Sequence, residues 1–311
     1  MTVYALVAGG EVVLIDAGWE SEQGWQALLS GLGALGAGAG DVSGVLATHN
    51  HLDHIGLARR IIEESGAWFG MHPADAEHIE APHYRKPEVA RRVESEWMRH
   101  LGATPDQVTR VMDARESTWG RRQRAARADR YVAHSEVLAV PGRQLRAVHV
   151  PGHTPGQVCF VDDAAGLLFA GDHLLPRISP NVPADRRPEQ DALGDYLDSL
   201  QRVSLDADYE VLPAHEWRFR GAAERAAEIT AHHQGRLAEV VCALRMSPGA
   251  TAWDIAAKLT WSRPWEQYGG YVLFSAVNET MAHLMHLVHR GTAVVLEGSR
   301  TPRFAVRRAG G

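Results

Sequence analysis

The sequence has little cysteine, no long apolar run and no excess of positive charge. Its 311 residues include two cysteines, Cys159 and Cys242, far apart in the chain, so no disulfide framework is expected and a reducing cytoplasm is the predicted location. No segment approaches the roughly 18 apolar residues that a membrane span requires. The first residues lack the basic region and apolar stretch of a signal peptide. A net charge of −6 excludes a uniformly basic nucleic-acid binder but not a local basic patch.

Histidine is abundant, at 17 residues, and four potential metal ligands fall within six positions: His49, His51, Asp53 and His54. Crowding imidazoles and a carboxylate at the end of a buried strand is costly unless a cation neutralises them. These side chains suit Zn²⁺, and Fe or Mn are alternatives. The cluster therefore predicts a metal site.

The strand pattern around this cluster predicts a layered α/β fold. Short strands are expected at Val3–Val7, Val12–Ile15, Val42–Thr48 and Ala67–Met71, with a helix over Leu57–Ser65 between the last two. Three further candidate ligands, His153, Asp172 and His215, each follow a later predicted strand. Seven ligands are too many for one tetrahedral zinc but suit two ions that share a carboxylate.

Four motifs in this order resemble those of the metallo-β-lactamase-fold superfamily over residues 1–220. They are His-x-His-x-Asp-His at 49–54, Gly-His-Thr-Pro-Gly at 152–156, Gly-Asp-His at 171–173 and the late His215. Asp16-Ala17-Gly18 matches the early Asp-x-Gly turn of that family, which is usually structural. Family members usually have a further strand before the segment that matches Val3–Leu6, so the edge of the first sheet is left open.

The resemblance implies an αββα sandwich of two mixed β-sheets between helices, with the metals at one edge. It implies a first metal held by His49, His51 and His153. It implies a second metal held by Asp53, His54 and His215, with Asp172 bridging the two.

Two such cations, expected to be Zn²⁺, would hold a bridging hydroxide as the nucleophile, because zinc lowers the pKa of bound water to about 7. Asp172 would keep the metals at the correct separation, and Asp53 would bind a metal and orient the hydroxide. His173, beside the bridge, is either a supporting or substrate-contacting residue or a histidine satisfied by backbone hydrogen bonds.

Residues 75–130 are polar and helical in pattern and interrupt the strand rhythm. Residues 81–130 hold 12 Lys and Arg against 7 Asp and Glu, a local excess of five positive charges. This insertion is either a solvated helical surface or a cationic lid over a site for an anionic substrate. Trp97 and Trp119 are either packing residues or the lining of an acyl pocket.

The pattern divides the chain into a catalytic domain, 1–222, and a helical linker with a small winged-helix-like domain, 223–311. The second part resembles the winged-helix domain of β-lactamase-like protein 2 and related bacterial hydrolases. The matching features are Thr251–Ile255, Glu279–Leu284 and Gly291 before a final strand pair. In this group the domain can also serve for dimerisation, so a homodimer is one possible oligomeric state.

The full ligand set disfavours a true β-lactamase, which typically lacks the second histidine of Asp53-His54. It is similar instead to glyoxalase II, lactonases, thioesterases and the ribonuclease branch. We predict hydrolysis of a thioester or carboxylic ester of a small anionic carrier such as coenzyme A or glutathione. The alternative is an endoribonuclease or phosphodiesterase on single-stranded RNA, and a lactonase is also open. The basic tail residues Arg300, Arg303, Arg307 and Arg308 favour nucleic acid, but no interleaved basic and aromatic run accompanies them.

Overall fold

The structure, a computed structural model, describes residues 1–203 and 209–307 of the 311-residue chain. Two mixed sheets lie between helices, as the sequence predicted. Arg308, one of the basic tail residues named above, lies outside the described residues.

Five strands form the first sheet, in chain order across it: β1 (Tyr4–Ala8), β2 (Glu11–Ile15), β3 (Val42–Leu46), β4 (Trp68–Met71) and β5 (Arg130–Tyr131). β1 and β2 are antiparallel and are joined by Gly9-Gly10, whose φ angles of 62° and 85° suit glycine. The remaining neighbours are parallel. The carboxyl ends of β2, β3 and β4 therefore meet at one edge, and β1 is an outer strand of this sheet.

Six strands form the second sheet: β6 (Val137–Val140), β7 (Arg143–His149), β8 (Val158–Asp162), β9 (Leu167–Gly171), β10 (Glu210–Pro213) and β11 (Phe219–Arg220). Their order across the sheet is β11-β10-β9-β8-β7-β6. All neighbours are antiparallel except β9 and β10, which are parallel. The carboxyl ends of β7, β9 and β10 consequently share one edge.

Apolar side chains fill three layers of the sandwich. The layer between the sheets contains Leu6, Val13, Leu46, Leu145, Phe160 and Phe169, all buried. The outer face of the first sheet is covered by α1 (Glu22–Ala34), α2 (Leu52–Ile55) and α3 (Ala58–Ser65). The outer face of the second sheet is covered by α8 (Ala192–Arg202) and the start of α9 (Ala222–Met246). Burying each large apolar side chain contributes about 1.5–3 kcal/mol, so these layers hold the ligand-bearing loops in place.

The insertion between β4 and β5 is helical, as predicted, and consists of α4 (Pro73–Glu80), α5 (Pro82–Arg85), α6 (Pro87–His100) and α7 (Pro105–Arg122). α6 and α7 do not lie free on the surface. They share one hydrophobic core with the C-terminal part of the chain. The backbone N–H of Trp253 donates to the carbonyl of Leu101 at 2.8 Å, which ties the two parts together.

Trp97 and Trp119 belong to this shared core, so of the two alternatives the structure supports packing residues and not the lining of an acyl pocket. Trp97 is 8% exposed and Trp119 is 2% exposed. The indole N–H of Trp97 donates to Asn278 Oδ1 at 3.0 Å, and that of Trp119 to Glu94 Oε2 at 3.3 Å. Both indoles are packing groups whose polar atoms are satisfied inside the protein.

The C-terminal part continues from α9 into α10 (Ala252–Ala256), α11 (Gly270–His289) and the antiparallel pair β12 (Ala293–Leu296) and β13 (Arg303–Val306). The predicted helical region with a terminal strand pair is therefore present. Its classification as a winged helix and the boundary at residue 222 stay predictions. No helix within the described ranges is long and apolar enough to cross a membrane.

Candidate metal centre

The seven predicted ligands come together at the edge where the carboxyl ends of β3, β7, β9 and β10 meet. His49 and His51 follow β3, and Asp53 and His54 lie in the short helix α2. The other three follow strands of the second sheet: His153 after β7, Asp172 after β9 and His215 after β10. The sandwich thus brings residues from four chain segments to one place.

The first group of ligand atoms consists of three histidine nitrogens. Nδ1 of His51 lies 3.0 Å from Nε2 of His49 and 3.0 Å from Nε2 of His153. The remaining ring nitrogens of His49 and His153 are already engaged. Nδ1 of His153 donates to the carbonyl of Asn181 at 2.6 Å, and Nδ1 of His49 lies 3.1 Å from the Thr48 hydroxyl, which itself donates to Asp16. The Nε2 atoms of His49 and His153 therefore point lone pairs at His51.

The second group surrounds the carboxylates of Asp53 and Asp172. Nε2 of His215 lies 3.2 Å from Asp53 Oδ2 and 3.4 Å from Asp172 Oδ1. Nε2 of His54 lies 3.6 Å and 3.5 Å from the same two atoms. The other oxygen of Asp172, Oδ2, lies 3.8 Å from Nε2 of His153 in the first group. Asp172 is thus the residue between the two groups.

The charge states of these groups follow from their burial and from their neighbours. Burial, with His153 adding to it, lowers the pKa of His51 to about 3. Burial likewise lowers the pKa of His153 and of His49, so their neutral forms present lone pairs at neutral pH. Burial alone would raise the pKa of Asp172, but His54 and the other imidazoles lower it to about 2.

Two buried atoms at the centre lack a hydrogen-bond partner among the described residues: His54 Nε2 and Asp172 Oδ1. Converging imidazole lone pairs beside a buried carboxylate repel each other unless positive charge lies between them. Histidine nitrogens and carboxylate oxygens are the donors that divalent transition metals take. Three overlapping sets of these residues are close enough to share an ion: His49, His51 and His153; His49, His54 and Asp172; Asp53, His54 and His215. The donor set fits a binuclear centre.

Asp16 orients the ring of His54 in the second group. Its Oδ2 lies 2.8 Å from Nδ1 of His54, and its Oδ1 accepts from the backbone N–H of Thr48 at 2.8 Å. Although burial opposes it, Asp16 and Asp172 raise the pKa of His54 well above its ordinary value. The Asp16-Ala17-Gly18 turn is therefore also a support of the site, because Asp16 directs His54 Nε2 toward Asp53 and Asp172.

Asp75 was not singled out from the sequence, yet it joins two ligand loops. Its carboxylate accepts from the backbone N–H of Asn50 at 2.9 Å, the hydroxyl of Thr154 at 2.8 Å and the N–H of Gly156 at 2.7 Å. Burial raises the pKa of Asp75 to about 6, which leaves it ionised at pH 7. In the sequence, an aspartate two residues after Pro73 is typical of the first turn of a surface helix, so no signal set it apart.

His173 is fully buried beside Tyr196, with the two ring centroids 5.3 Å apart. Tyr196 donates its hydroxyl proton to the carbonyl of His173 at 3.0 Å. Gln157 supports the same turn, because its side-chain oxygen can accept from the N–H groups of Asp172 at 3.2 Å and His173 at 2.7 Å. Because His173 is 0% exposed, its burial favours a supporting role over contact with a substrate.

The chain belongs to the metallo-beta-lactamase superfamily, because residues 2–215 match the family model of that superfamily. The edge position of the site and its histidine and aspartate donors agree with a superfamily of metal-dependent hydrolases.

Two solved structures resemble almost the whole chain. A metallo-beta-lactamase family protein from Thermus thermophilus is 28% identical, with a TM-score of 0.80, over 98% of this chain and 93% of that one. A beta-lactamase domain protein from Burkholderia ambifaria is 26% identical, with a TM-score of 0.78, over 98% of this chain and 86% of that one. The resemblance thus includes the C-terminal part.

Relatives found by sequence are more partial. Lactamase-like protein nscB of Trichophyton verrucosum is 26% identical over 145 residues, 47% of each chain. An uncharacterized protein of Aquifex aeolicus is 26% identical over 174 residues, 56% of this chain and 64% of its own length. The chain therefore spans between about half and two thirds of these relatives' own length.

Proposed function

We propose that the protein is a binuclear metal-dependent hydrolase that cleaves a thioester or carboxylic ester of a small anionic carrier. The observation that carries the binuclear centre is the position of Asp172, with Oδ1 facing His54 and His215 and Oδ2 facing His153, while the choice of thioester or ester follows from the resemblance of the ligand set. His49, His51 and His153 would hold one ion, and Asp53, His54 and His215 the other. Zn²⁺ is the ion that we expect at both positions, with Fe or Mn as alternatives.

Bound there, divalent ions would supply an activated water and polarise the scissile carbonyl. The chain's own residues would set the geometry in which this happens. We assign catalytic roles to two carboxylates: Asp172 links the two ligand groups, and Asp53 lies beside His215 at 3.2 Å. Asp16, Thr48 and Asn181 fix the ligand rings, so little reorganisation is needed when substrate arrives.

The anionic part of the substrate would be held by Arg186 rather than by most arginines of the insertion. Arg115 and Arg122 both bond to the buried Glu94, at 2.9 Å and 2.8 Å, which satisfies much of their charge. Arg186 makes no ion pair with any described residue, and its guanidinium lies 5.9 Å from the ring centroid of Trp97. Its side chain is exposed.

Arg186 is also tied to the metal centre through its own segment. The carbonyl of Asn181, five positions earlier, accepts from His153 Nδ1. Tyr84 of α5 likewise donates to the carbonyl of Asn50 in the histidine motif at 3.2 Å. A guanidinium on a segment that is bonded to a ligand loop suits a carboxylate or phosphate of the carrier.

A substrate panel tests the proposal. The purified protein would be offered thioesters of coenzyme A and glutathione, simple esters, a lactone and a labelled single-stranded RNA, with metal content measured in parallel. We expect turnover of thioesters or esters, at least one transition-metal ion per chain, and loss of activity with a chelator that Zn²⁺ restores. Cleavage of RNA with no turnover of any ester or thioester would refute the proposal in favour of the nuclease.

Three further parts of the interpretation stay predictions. They are the cytoplasmic location, a homodimer through the C-terminal part, and the absence of a nucleic-acid partner. Arg303, one of the basic tail residues that favoured nucleic acid, donates to the carbonyl of Gly249 at 2.8 Å. This contact gives Arg303 a structural role that needs no nucleic acid.

A further inference from the structure

Two exposed apolar side chains lie on loops that also carry residues of the metal centre. Trp217 is 55% exposed and follows His215 by two positions, in the loop between β10 and β11. Ile178 is 49% exposed and lies six positions after Asp172. Exposure of single apolar residues is common and is no evidence of a binding surface by itself. These two differ because their loops are held by several hydrogen bonds.

Glu216 joins the two loops. Its carboxylate accepts from the backbone N–H groups of Arg177 at 3.1 Å and Ile178 at 3.4 Å, and from Nε of Arg177 at 3.1 Å. Its φ angle of 68° lies in the left-handed region, which is unfavourable for a residue with a side chain. Glu216 is thus a strained residue between His215 and Trp217. Its carboxylate positions the loop that contains Arg177 and Ile178.

Arg225 of α9 holds the same segment from the other side. It donates from Nε to the carbonyl of Leu175 at 2.7 Å, and from Nη2 to the carbonyls of Arg177 at 2.8 Å and Ile178 at 3.1 Å. Leu175 itself is buried. The backbone at 175–178 is therefore bonded through both its N–H and its C=O groups, and Ile178 is presented outward from a fixed backbone.

The ring of Trp217 is braced in the same place. The guanidinium of Arg177 lies 5.8 Å from its ring centroid, so Arg177 contacts both Glu216 and Trp217. Further along the segment, Asn181 is bonded to the ligand His153. The loops that carry Ile178 and Trp217 are thus bonded to, or continuous with, the ligands on both sides of the centre, His153 and His215.

We propose that Ile178 and Trp217 form an acyl-binding surface of the active site. They would contact the apolar acyl group of a thioester or ester whose carbonyl lies at the metal centre. This inference rests on the proposed function and narrows its substrate class to acyl groups larger than acetyl. A rigid apolar surface gains affinity because little conformational freedom is lost on binding.

A chain-length series tests this surface. The wild type, Trp217→Ala and Ile178→Ser would be assayed on acetyl, butyryl, hexanoyl and octanoyl thioesters of one thiol. We expect kcat/KM to rise with chain length in the wild type. The octanoyl-to-acetyl ratio should fall by about 10–100-fold in Trp217→Ala and by less in Ile178→Ser. Met246→Ala is the control, since Met246 is 71% exposed at the end of α9 and should keep the wild-type ratio.

A binding measurement separates this inference from the proposed function. Calorimetry with octanoate, which cannot be hydrolysed, should give a dissociation constant about 10-fold weaker in Trp217→Ala than in the wild type. Equal ratios and equal octanoate affinity in both proteins would overturn the acyl surface and leave the hydrolase intact. Absence of all ester and thioester turnover in the wild type would overturn the proposed function, while octanoate binding that depends on Trp217 would still support the surface. RNA cleavage that depends on Trp217, without octanoate binding, would overturn it in favour of base stacking.

Discussion

Nδ1 of His54 lies 2.8 Å from Oδ2 of Asp16, which precedes it by 38 positions in the chain. The carboxylate also accepts from the N–H and the hydroxyl of Thr48, so one buried aspartate holds both the end of β3 and the ring of a proposed ligand. The contact fixes which His54 nitrogen faces Asp53 and Asp172.

Asp16→Asn should weaken the proposed second metal site while leaving the first nearly intact. The amide can still accept one hydrogen bond, but it no longer favours the Nδ1–H form of His54 with a negative charge. We expect metal affinity at that site to fall by about 10–100-fold, giving a stoichiometry nearer one than two after dialysis. Elemental analysis and competitive titration with a chromophoric chelator measure this. Asp113→Asn on the exposed face of α7 is the control, and equal metal content in all three proteins would contradict the role of Asp16.

Asp172→Ala should abolish turnover in a protein that remains folded. The substitution removes the carboxylate between the two ligand groups but leaves the surrounding sheet core unchanged. We expect kcat to fall by about 10²–10³-fold or more, with far-UV circular dichroism like that of the wild type. Asp163→Ala, which removes an exposed partner of Arg146, should retain activity. Near-normal turnover of Asp172→Ala would refute the bridging role.

Asp75→Ala should destabilise the fold rather than alter the chemistry directly. It leaves the N–H groups of Asn50 and Gly156 and the hydroxyl of Thr154 without their acceptor in a buried place. The expected loss in the free energy of unfolding is about 3–5 kcal/mol, measured by urea denaturation. Asp75→Asn keeps part of the acceptor capacity and should lose less. A loss below about 1 kcal/mol in Asp75→Ala would show that the loops do not depend on this residue.

Acid should destabilise the protein partly through the buried pair His233 and His283, whose Nδ1 and Nε2 atoms lie 3.1 Å apart. Burial lowers the pKa of His233 to about 3 and that of His283 to about 4. Because an unfolded histidine titrates near about 6.5, the unfolded chain takes up protons first as the pH falls. Stability is therefore lost as the pH falls from about 6.5, the unfolded value, to about 4 for His283 and about 3 for His233.

Urea denaturation at pH 7.5 and at pH 5.0 measures this contribution. In His283→Gln the loss of unfolding free energy between the two pH values should be smaller than in the wild type by about 2 kcal/mol. His134→Gln, which alters an exposed histidine, should behave like the wild type. An unchanged loss in His283→Gln would mean that other groups cause the acid sensitivity.

The strand pattern predicted a layered α/β fold with ligands at strand ends, and the family resemblance implied the sandwich and the grouping of the seven ligands. Short apolar segments ending in Gly, Pro, His or Asp mark strands whose carboxyl ends carry side chains, and the family motifs give their order. For the same reason the positions of His49 and Asp172 at strand ends agree with expectation.

What the sequence did not predict are contacts between distant segments. Nothing around Asp75 shows that it bonds to Asn50 and Gly156, and nothing around Glu216 shows that its backbone is left-handed. The insertion was correctly predicted as helical, yet the partner that buries Trp119 lies more than a hundred residues later, in the C-terminal part. Such contacts depend on the three-dimensional arrangement, which cannot be read from the hydrophobic periodicity or the composition of the sequence.

The core that α6 and α7 share with α9, α10 and α11 has an evolutionary consequence. Residues of the insertion and residues near the end of the chain stabilise each other, so we expect that deleting the last third of the chain would destabilise the insertion. Selection for a new substrate can then act through substitutions near Trp253 or Asn278, remote from any ligand, because they shift the helices that adjoin Tyr84. We expect substrate preference among relatives of this length to vary with the C-terminal sequence as well as with the rim of the site.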